Sequence, residues 1–201
     1  MKKLISIILA VVLISLPVPV FAKNINKLSV SQIKSAMKEG ASGKFSDYDI
    51  KPQSNSTHFI FSPRSGGCEV TLFTPYWWIM MHSFNVDPAC GEKFDLNDAK
   101  KLYGKWDKST IYFNISLSGE EPESFINTSV AIFQNGKFIA PTEDYSGKDI
   151  QYSDSVKLYV SSADSLFPVS KIDVEKPFLL YIFNGTLDNK AIFWVNLNKY
   201  K

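Results

Sequence analysis

Histidine and cysteine, which serve as the base and the nucleophile in many enzymes, are scarce in this sequence. There are two histidines, His58 and His82, and two cysteines, Cys68 and Cys90. Serine and cysteine catalysis usually need a histidine base, and the sequence contains no G-x-S-x-G, H-E-x-x-H, phosphate-loop or dinucleotide motif. The four residues also lack the ligand spacing of a zinc site. We therefore predict no catalytic residue, no metal site and no cofactor.

The acidic residues leave a second kind of chemistry open, which is hydrolysis by a pair of carboxylates. They occur in local groups: Asp47 with Asp49, Glu120 with Glu121 and Glu123, and Glu143 with Asp144. A glycoside hydrolase needs two carboxylates that converge on one bond. Gly119 and Pro122 beside the Glu120 group are typical of a solvated turn. A hydrolase that acts on envelope sugars or peptides is therefore the alternative interpretation.

The two cysteines are more simply explained as a structural pair. Cys68 and Cys90 do not have the spacing of a Cys-x-x-Cys redox motif. In an exported protein two cysteines most often form a disulfide, and one closing this loop would stabilise the fold by about 3 kcal/mol. We predict a Cys68–Cys90 disulfide.

Aromatic residues offer a binding chemistry. Tyr76, Trp77 and Trp78 follow Thr74 and Pro75, a pair that is typical of a helix start. Consecutive helical residues point about 100° apart, so these three cannot all face inward along one narrow stripe. We predict that at least one of Tyr76, Trp77 and Trp78 is partly exposed and contacts a partner, since exposed rings stack on sugars or on apolar protein patches. The alternative is that all three are core residues.

Residues 1–22 have the three parts of a secretory signal peptide. Lys2 and Lys3 provide a basic start, residues 4–16 are apolar and uncharged, and Ala22 ends a segment suited to cleavage. The apolar run is shorter than the roughly 20 residues that cross a bilayer, which argues against an uncleaved anchor. We predict cleavage after Ala22 and export to the periplasm or the extracellular medium.

The charge balance argues against two classes of partner. The chain has 22 Lys and Arg residues against 20 Asp and Glu residues, and loss of residues 1–22 would leave it formally neutral. This is not the basic footprint that nucleic acids require, and no lysine cluster in the sequence suggests an anionic membrane surface. We predict no nucleic acid partner, no membrane contact after cleavage, and a protein or glycan partner in the envelope.

The segments that must position these residues begin with helices. Residues 29–39 are predicted to form an N-terminal helix, because Ser29 and Gln32 make a capping box. Residues 75–103 are predicted to form a two-helix insertion, with Asp95 as the second N-cap.

From residue 109 onward the pattern is that of β-strands. Polar and apolar residues alternate over 110–117, and Asn135-Gly136 is a strong hairpin signal. The polar stretch 141–155 is expected to be a long loop. Early helices followed by strands separated by turns favour one α+β domain over residues 23–201, built on an antiparallel β-sandwich.

Several short motifs lie within residues 74–201. They are Thr74-Pro75-Tyr76 at a helix start, Ile111 to Leu117 followed by a Gly-acid-Pro turn, Ala131 to Ile139 around Asn135-Gly136, and the closing strand Ile192 to Leu197. In these motifs the chain resembles a group of uncharacterised exported bacterial proteins. The resemblance implies an exported β-rich fold and no known activity, and the cysteine and tryptophan pairs are not features of that group.

These observations favour one functional class over the other. The sequence lacks a recognisable catalytic constellation, and a β-rich fold is suited to carrying binding loops. We expect an exported, non-catalytic binding or assembly protein of the bacterial envelope.

Overall fold

The chain combines helices and antiparallel sheets, so the α+β prediction is confirmed. The computed structural model describes residues 25–43, 49–50, 66–86, 88–125, 127–143, 149–184 and 186–200. The predicted signal peptide, residues 1–22, and His58 lie outside this part of the chain. Among the described residues, no helix is long and apolar enough to cross a membrane.

The helices precede most of the strands along the chain. The α-helices are α1 (Val30–Ala41), α2 (Pro75–Phe84) and α3 (Leu96–Gly104). The strands are β1 (Asp49–Ile50), β2 (Gly66–Phe73), β3 (Thr110–Gly119), β4 (Thr128–Gln134), β5 (Lys137–Ile139), β6 (Ile150–Ser153), β7 (Leu158–Pro168), β8 (Phe178–Asn184) and β9 (Thr186–Val195).

Two of the helices begin at capping boxes. At α1, the Gln32 backbone N–H donates to Ser29 Oγ at 3.3 Å, and the Ser29 N–H donates to Gln32 Oε1 at 2.9 Å. At α3, the Asp98 N–H donates to Asp95 Oδ1 at 3.0 Å, and the Asp95 N–H donates to Asp98 Oδ2 at 3.2 Å. Each box satisfies backbone donors that have no partner within the helix, which fixes where the helix starts.

Helix α2 also starts at the residues that its sequence indicates. Thr74 Oγ1 accepts a hydrogen bond from the Trp77 N–H at 3.1 Å, and Pro75 occupies the first helical position. This start turns the chain from β2 directly into a helix, so the aromatic residues of α2 lie close to the end of that strand.

A five-stranded antiparallel sheet has the order β1-β2-β3-β7-β6. The central strand β3 alternates strictly: its apolar residues, such as Phe113, are buried, while Tyr112 and Asn114 on the opposite face are partly exposed. This period of two is what a strand shows when one face packs on the core and the other contacts water.

A four-stranded antiparallel sheet has the order β5-β4-β8-β9. Its first hairpin turns at Asn135 and Gly136, whose φ angles are 51° and 77°. Two successive positive φ angles are what the tightest β-hairpin turn requires, and Asn-Gly is the pair that adopts them most readily.

The main hydrophobic core contains buried side chains from both sheets. Phe113 of the five-stranded sheet meets Phe178 of the four-stranded sheet edge to face, with ring centroids 6.3 Å apart. The helices have a smaller core of their own, in which Ile33 and Ala36 of α1 are buried with Ile79 and Met80 of α2.

One stretch that was expected to be a loop contains a strand. Residues 141–155 include β6, which pairs with β7 so that Tyr152 lies opposite Tyr159. Ile150 and Tyr152 alternate with Gln151 and Ser153, and Ile150 packs against the main core at the edge of the sheet. Four residues are the shortest alternation that indicates a strand, and the polar residues around them favoured a loop. Backbone pairing determines this strand, and a hydropathy pattern does not report backbone pairing.

The predicted disulfide is not present in the structure. Cys68 lies on β2 opposite Leu117 and packs against the main core, whereas Cys90 is exposed in a short 3₁₀ helix, Pro88–Cys90. Cys68 thus faces the core and Cys90 faces solvent, and the two are not bonded to each other. The spacing of the two cysteines along the chain contains no information about which face of β2 carries the first of them.

Candidate functional site

The three aromatic residues predicted as a binding site have different environments. Tyr76 is fully buried, and its hydroxyl donates a hydrogen bond to Glu39 Oε1 at 2.7 Å. Tyr76 is therefore a core residue that ties α2 to α1, and it adds nothing to the surface. Trp77 and Trp78 are both partly exposed, so a contact surface at this helix consists of the two tryptophans.

Five partly exposed rings form a continuous group that we call the aromatic cluster. Its members are Phe73, Trp77, Trp78, Trp106 and Tyr112. Trp77 stacks on Phe73 with centroids 4.2 Å apart and planes at 14°. Trp78 lies 6.3 Å from Trp77 and 6.4 Å from Trp106, and Trp106 lies 5.8 Å from Tyr112. The cluster thus joins α2 to the outer face of the five-stranded sheet.

Trp106 is held in the cluster by the N-terminal segment of the described chain. Its Nε1 donates to Asn26 Oδ1 at 3.3 Å, and Asn26 Nδ2 donates to the Thr110 carbonyl at 3.0 Å. Asn26 is buried. This buried amide fixes the indole ring against the start of β3, and a ring that is already fixed loses little freedom when a ligand binds.

A row of polar side chains continues from the aromatic cluster along the same face. We call it the polar row, and its members are Asn114, Ser116, Ser162 and Asp164. Asn114 Nδ2 donates to Asp164 Oδ1 at 3.0 Å, while Ser162 Oγ donates to Asn114 Oδ1 at 3.1 Å and lies 3.1 Å from Ser116 Oγ. The row is hydrogen-bonded within itself, so its donors and acceptors have defined directions.

Tyr112 connects the aromatic cluster to the polar row. It lies opposite Phe73 on β2 and two residues before Asn114 on β3. Partial burial raises the pKa of its phenol, and the charges of Asp164, Glu143 and Asp107 raise it further. The hydroxyl therefore stays protonated well above neutral pH and remains able to donate a hydrogen bond.

The same face holds a groove of about 600 Å³ that begins at the two serines of the polar row. Its lining includes Glu69, Ser116, Ser118, Gln151, Val160 and Ser162. On β3 alone, the outward residues from Tyr112 to Ser118 span about 20 Å. An elongated ligand could contact rings at one end of this face and hydroxyl, amide and carboxylate groups at the other.

His82, a candidate base in the sequence, lies among aromatic rings. The His82 ring packs edge-on against Trp78 at 5.2 Å and stacks on Phe94 at 5.9 Å. Within the described part of the chain, no group of three or more His, Cys, Asp or Glu side chains could hold a metal ion. Among the residues described, the arrangement offers stacking and hydrogen bonding.

Part of this site had a signal in the sequence and part had none. The alternation in β3 already placed Tyr112 and Asn114 on a wet face, so these two residues could have been proposed. Asp164 and Ser162 could not, because their relation to β3 depends on the pairing of two strands that are distant in sequence.

Comparisons of the chain with protein-family models, with curated proteins and with solved structures gave no match. The interpretation of this face therefore depends on its own geometry.

Proposed function

We propose that this chain is an exported, non-catalytic binding protein of the bacterial envelope, and that its ligand is a glycan that lies along the outer face of the five-stranded sheet. The observation that carries the proposal is the continuity of the aromatic cluster with the polar row. Trp78 and Trp106 present partly exposed rings, and Asn114 and Asp164 follow on the same face.

Sugars have the chemistry that such a face complements. A pyranose ring has an apolar face of C–H groups and a rim of hydroxyls. Flat indole rings favour the first through dispersion and burial, while amide, carboxylate and hydroxyl groups satisfy the second. The serines and Asn114 supply both donors and acceptors, so they suit hydroxyl groups, which also donate and accept.

The charges of this face favour a neutral glycan. Glu69 lines the groove and Asp164 belongs to the polar row. A carboxylate accepts hydrogen bonds from sugar hydroxyls, but it repels the acidic groups of anionic polysaccharides. The ligand that fits best is therefore an uncharged chain of sugars.

The fold and the address that we propose are compatible with this role. The shared core of the two sheets, with Phe113 against Phe178, is what an antiparallel β-sandwich would have. The outer faces of such a sandwich are available to ligands. Residues 1–22 would direct the protein to the envelope, where polysaccharides are abundant, and N-terminal sequencing should find Lys23 first.

The alternative of a hydrolase has weaker geometric support. Glu69 and Asp149 both line the groove, and they are the acidic side chains that a paired-carboxylate mechanism would use there. They belong to opposite sides of a face with three strand spacings between them, roughly 14 Å. Carboxylate pairs in glycoside hydrolases are about 5 to 9.5 Å apart.

The test measures the binding of neutral polysaccharides and of purified peptidoglycan to the protein. The change in the protein's tryptophan fluorescence reports the binding. Trp78→Ala should raise the Kd about tenfold, because one stacking contact contributes up to about 1.5 kcal/mol. Trp194→Ala is the matched control, since Trp194 is an exposed tryptophan on the other sheet.

Four outcomes would count against the proposal. The first is that no glycan of the panel binds. The second is that Trp194→Ala weakens binding as much as Trp78→Ala does. The third is release of shortened sugars from a bound polysaccharide, with loss of release in Glu69→Gln, which would support the hydrolase. Capture of an envelope protein through Trp78, with no glycan bound, would replace the glycan by a protein partner.

A further inference from the structure

The four-stranded sheet has an outer face that is apolar where a solvated face is expected to be polar. On this face eight side chains from four strands are apolar or aromatic: Ala131 and Phe133 on β4, Phe138 on β5, Leu179, Tyr181 and Phe183 on β8, and Ile192 and Trp194 on β9. We call these residues the apolar face. The outer face of the five-stranded sheet carries the polar row at the equivalent place, so the two outer faces differ in character.

The strand pairing shows how regular the apolar face is. Phe133, Leu179 and Trp194 lie opposite one another on three adjacent strands and form one rung. Rings also pack along the face: Phe138 lies 4.9 Å from Phe133 and 5.4 Å from Tyr181. The rings thus support each other as a continuous layer.

The sequence of β8 has the signature of a strand that is covered on both sides. Residues 178–183 are apolar without alternation, a pattern typical of strands that are buried on both faces. One face, with Leu180 and Ile182, is fully buried in the core. On the other face, Tyr181 and Phe183 are only partly buried. The apolar pattern therefore indicates that another molecule packs on this face.

The exposure of this face is greatest at its two edges. Phe138 is 54% exposed and Trp194 is 39% exposed. Phe133, Leu179 and Trp194 also line a shallow groove of about 430 Å³ at the end of the sheet near Asn135 and Lys176. Apolar patches of this kind on soluble proteins mark sites that contact another molecule or a membrane.

Lysines border the apolar face. Lys190 lies opposite Phe183 in the third rung, and Lys199 Nζ lies 4.8 Å above the Trp194 ring. Lys176 lines the groove, although it also forms an ion pair with Asp173 at 3.1 Å. The expectation of no membrane contact rested on the even charge balance of the whole chain, which does not show that these lysines border one face while Asp164 of the polar row lies on the opposite sheet.

We propose that the apolar face docks on a bilayer that contains anionic phospholipids. Tryptophan and tyrosine favour the boundary between headgroups and acyl chains, where one part of the ring is apolar and another is wet. Lysines beside such rings attract lipid phosphates. The rings of the apolar face suit the acyl-chain boundary, and Lys190 and Lys199 beside them suit the phosphates of the headgroups.

A second copy of this chain fits the same face less well. Four strands about 4.8 Å apart and three rungs about 6.8 Å apart give a face of roughly 400 Å² once the side-chain margin is included. A stable dimer usually buries about 800 Å² on each partner. Two copies face to face would also bring the lysines of one copy toward those of the other. Attachment to a bilayer requires neither a buried area of that size nor the approach of lysines to one another.

The proposal is tested with the processed protein from cells, mixed with vesicles of phosphatidylcholine alone or with phosphatidylglycerol in equal parts. Co-sedimentation and a blue shift of tryptophan fluorescence should occur with the anionic vesicles. The double variant Phe138→Ser, Trp194→Ser should lower the partition coefficient at least tenfold. Tyr152→Ser is the matched control, because Tyr152 is 51% exposed but lies on the other sheet.

A second pair of substitutions tests the proposal even if the Phe138→Ser, Trp194→Ser variant does not fold. Lys190→Gln and Lys199→Gln leave the rings in place, and each should weaken binding about fivefold. Raising the salt concentration from about 0.1 M to about 1 M shortens the Debye length from about 10 Å to about 3 Å and should weaken it as well.

The proposal is overturned by equal binding to both kinds of vesicle, or by equal binding of the Phe138→Ser, Trp194→Ser variant. It is also overturned if sedimentation equilibrium shows a dimer that this variant dissociates, because the occupant would then be a second copy. Since glycan binding uses the opposite sheet, loss of vesicle binding in these variants with glycan binding kept would separate the two proposals.

Discussion

Asn114 and Asp164 lie opposite each other on β3 and β7, and Asn114 Nδ2 donates a hydrogen bond to Asp164 Oδ1 at 3.0 Å. The other end of the same amide accepts from Ser162 at 3.1 Å. With both ends engaged, the amide has one preferred orientation. An exposed surface that is ordered in this way before a ligand arrives loses less conformational entropy when it binds.

The carboxylate of Asp164 should be measurable through its neighbour Tyr112. Partial burial raises the pKa of Tyr112, and Asp164 is the first of the charges that add to the effect. Asp164→Asn should therefore lower the Tyr112 pKa towards its usual value near 10. Ultraviolet absorbance of tyrosinate, compared between the two proteins during an alkaline titration, detects this change.

The sign of the Tyr112 effect on stability also follows from the direction of its pKa. A raised pKa in the folded state means that the contribution to stability is complete below the unfolded pKa and is lost as the pH rises through the folded pKa.

Asp149→Asn serves as the control for the titration of Tyr112, because Asp149 is not among the causes of the shift. If the Tyr112 phenol titrated identically in the wild type and in Asp164→Asn, the wild-type carboxylate of Asp164 would lie too far from the phenol to act on it.

The acid dependence of stability should include a contribution from the N-cap of α3. The backbone N–H groups of Asp98 and Asn97 donate to Asp95 and hold the pKa of its carboxyl below the usual value. Stability from such a group is present above the unfolded pKa, about 3.9, and is lost as the pH falls through the folded pKa.

Asp95→Asn is the substitution that isolates this charge. Asparagine also caps helices well but cannot lose a negative charge in acid. Urea unfolding between about pH 6 and pH 2 should show that the advantage of wild type over Asp95→Asn decreases as the pH falls below about 4. A difference that is constant with pH would mean that the carboxylate of Asp95 does not cap the helix.

Local signals were sufficient for the helix starts and the tight turn, and insufficient for the surfaces. Ser29, Asp95 and the Asn135-Gly136 turn act on residues within four positions of themselves, so their effects follow from short stretches of sequence. The polar row depends on the pairing of β3 with β7, and the predicted disulfide failed because two cysteines in one sequence do not reveal the faces they occupy.

The two thiols should differ in reactivity. Cys90 is exposed, whereas Cys68 packs against the core, and burial, followed by the charge of Glu69, raises the pKa of its thiol. A thiol with a raised pKa forms little thiolate, which is the reactive species. An alkylating reagent should therefore modify Cys90 in the native protein, and Cys68 only after unfolding, as peptide mass mapping would show.

Alkylation in denaturant without a reductant is the experiment that could contradict this prediction. If neither cysteine is alkylated under those conditions, and both are after reduction, a disulfide joins them and the arrangement described for β2 does not hold in the protein from cells. Cys90→Ser is the control, since it should abolish alkylation of the native protein and leave the alkylation of Cys68 after unfolding unchanged.

Gly40 of α1 lies against the backbone of Met80 on α2. A Cβ atom at this position would lie 2.2 Å from the Met80 carbonyl oxygen and 2.8 Å from its carbonyl carbon. Because both are backbone atoms, no side chain can rotate away. This contact explains why a glycine stands inside α1, which continues to Ala41 and does not end at residue 39.

Two opposing effects decide what Gly40→Ala does. Alanine is the better helix former by about 1 kcal/mol, which taken alone would stabilise α1. Separating the two helices to admit a methyl group costs typically 1 to 3 kcal/mol, and here the obstacle is backbone. We expect the free energy of unfolding to fall by about 1 to 2 kcal/mol in a urea titration.

Gly104→Ala is the matched control for Gly40→Ala. Gly104 is the last residue of α3, and a Cβ atom there would have no neighbour within 4 Å. This substitution should leave stability unchanged or raise it slightly, since only helix propensity acts. If both variants were stabilised equally, the two helices would be farther apart than the structure places them. Destabilisation of Gly40→Ala alone would show that α1 rests on α2 through backbone contact.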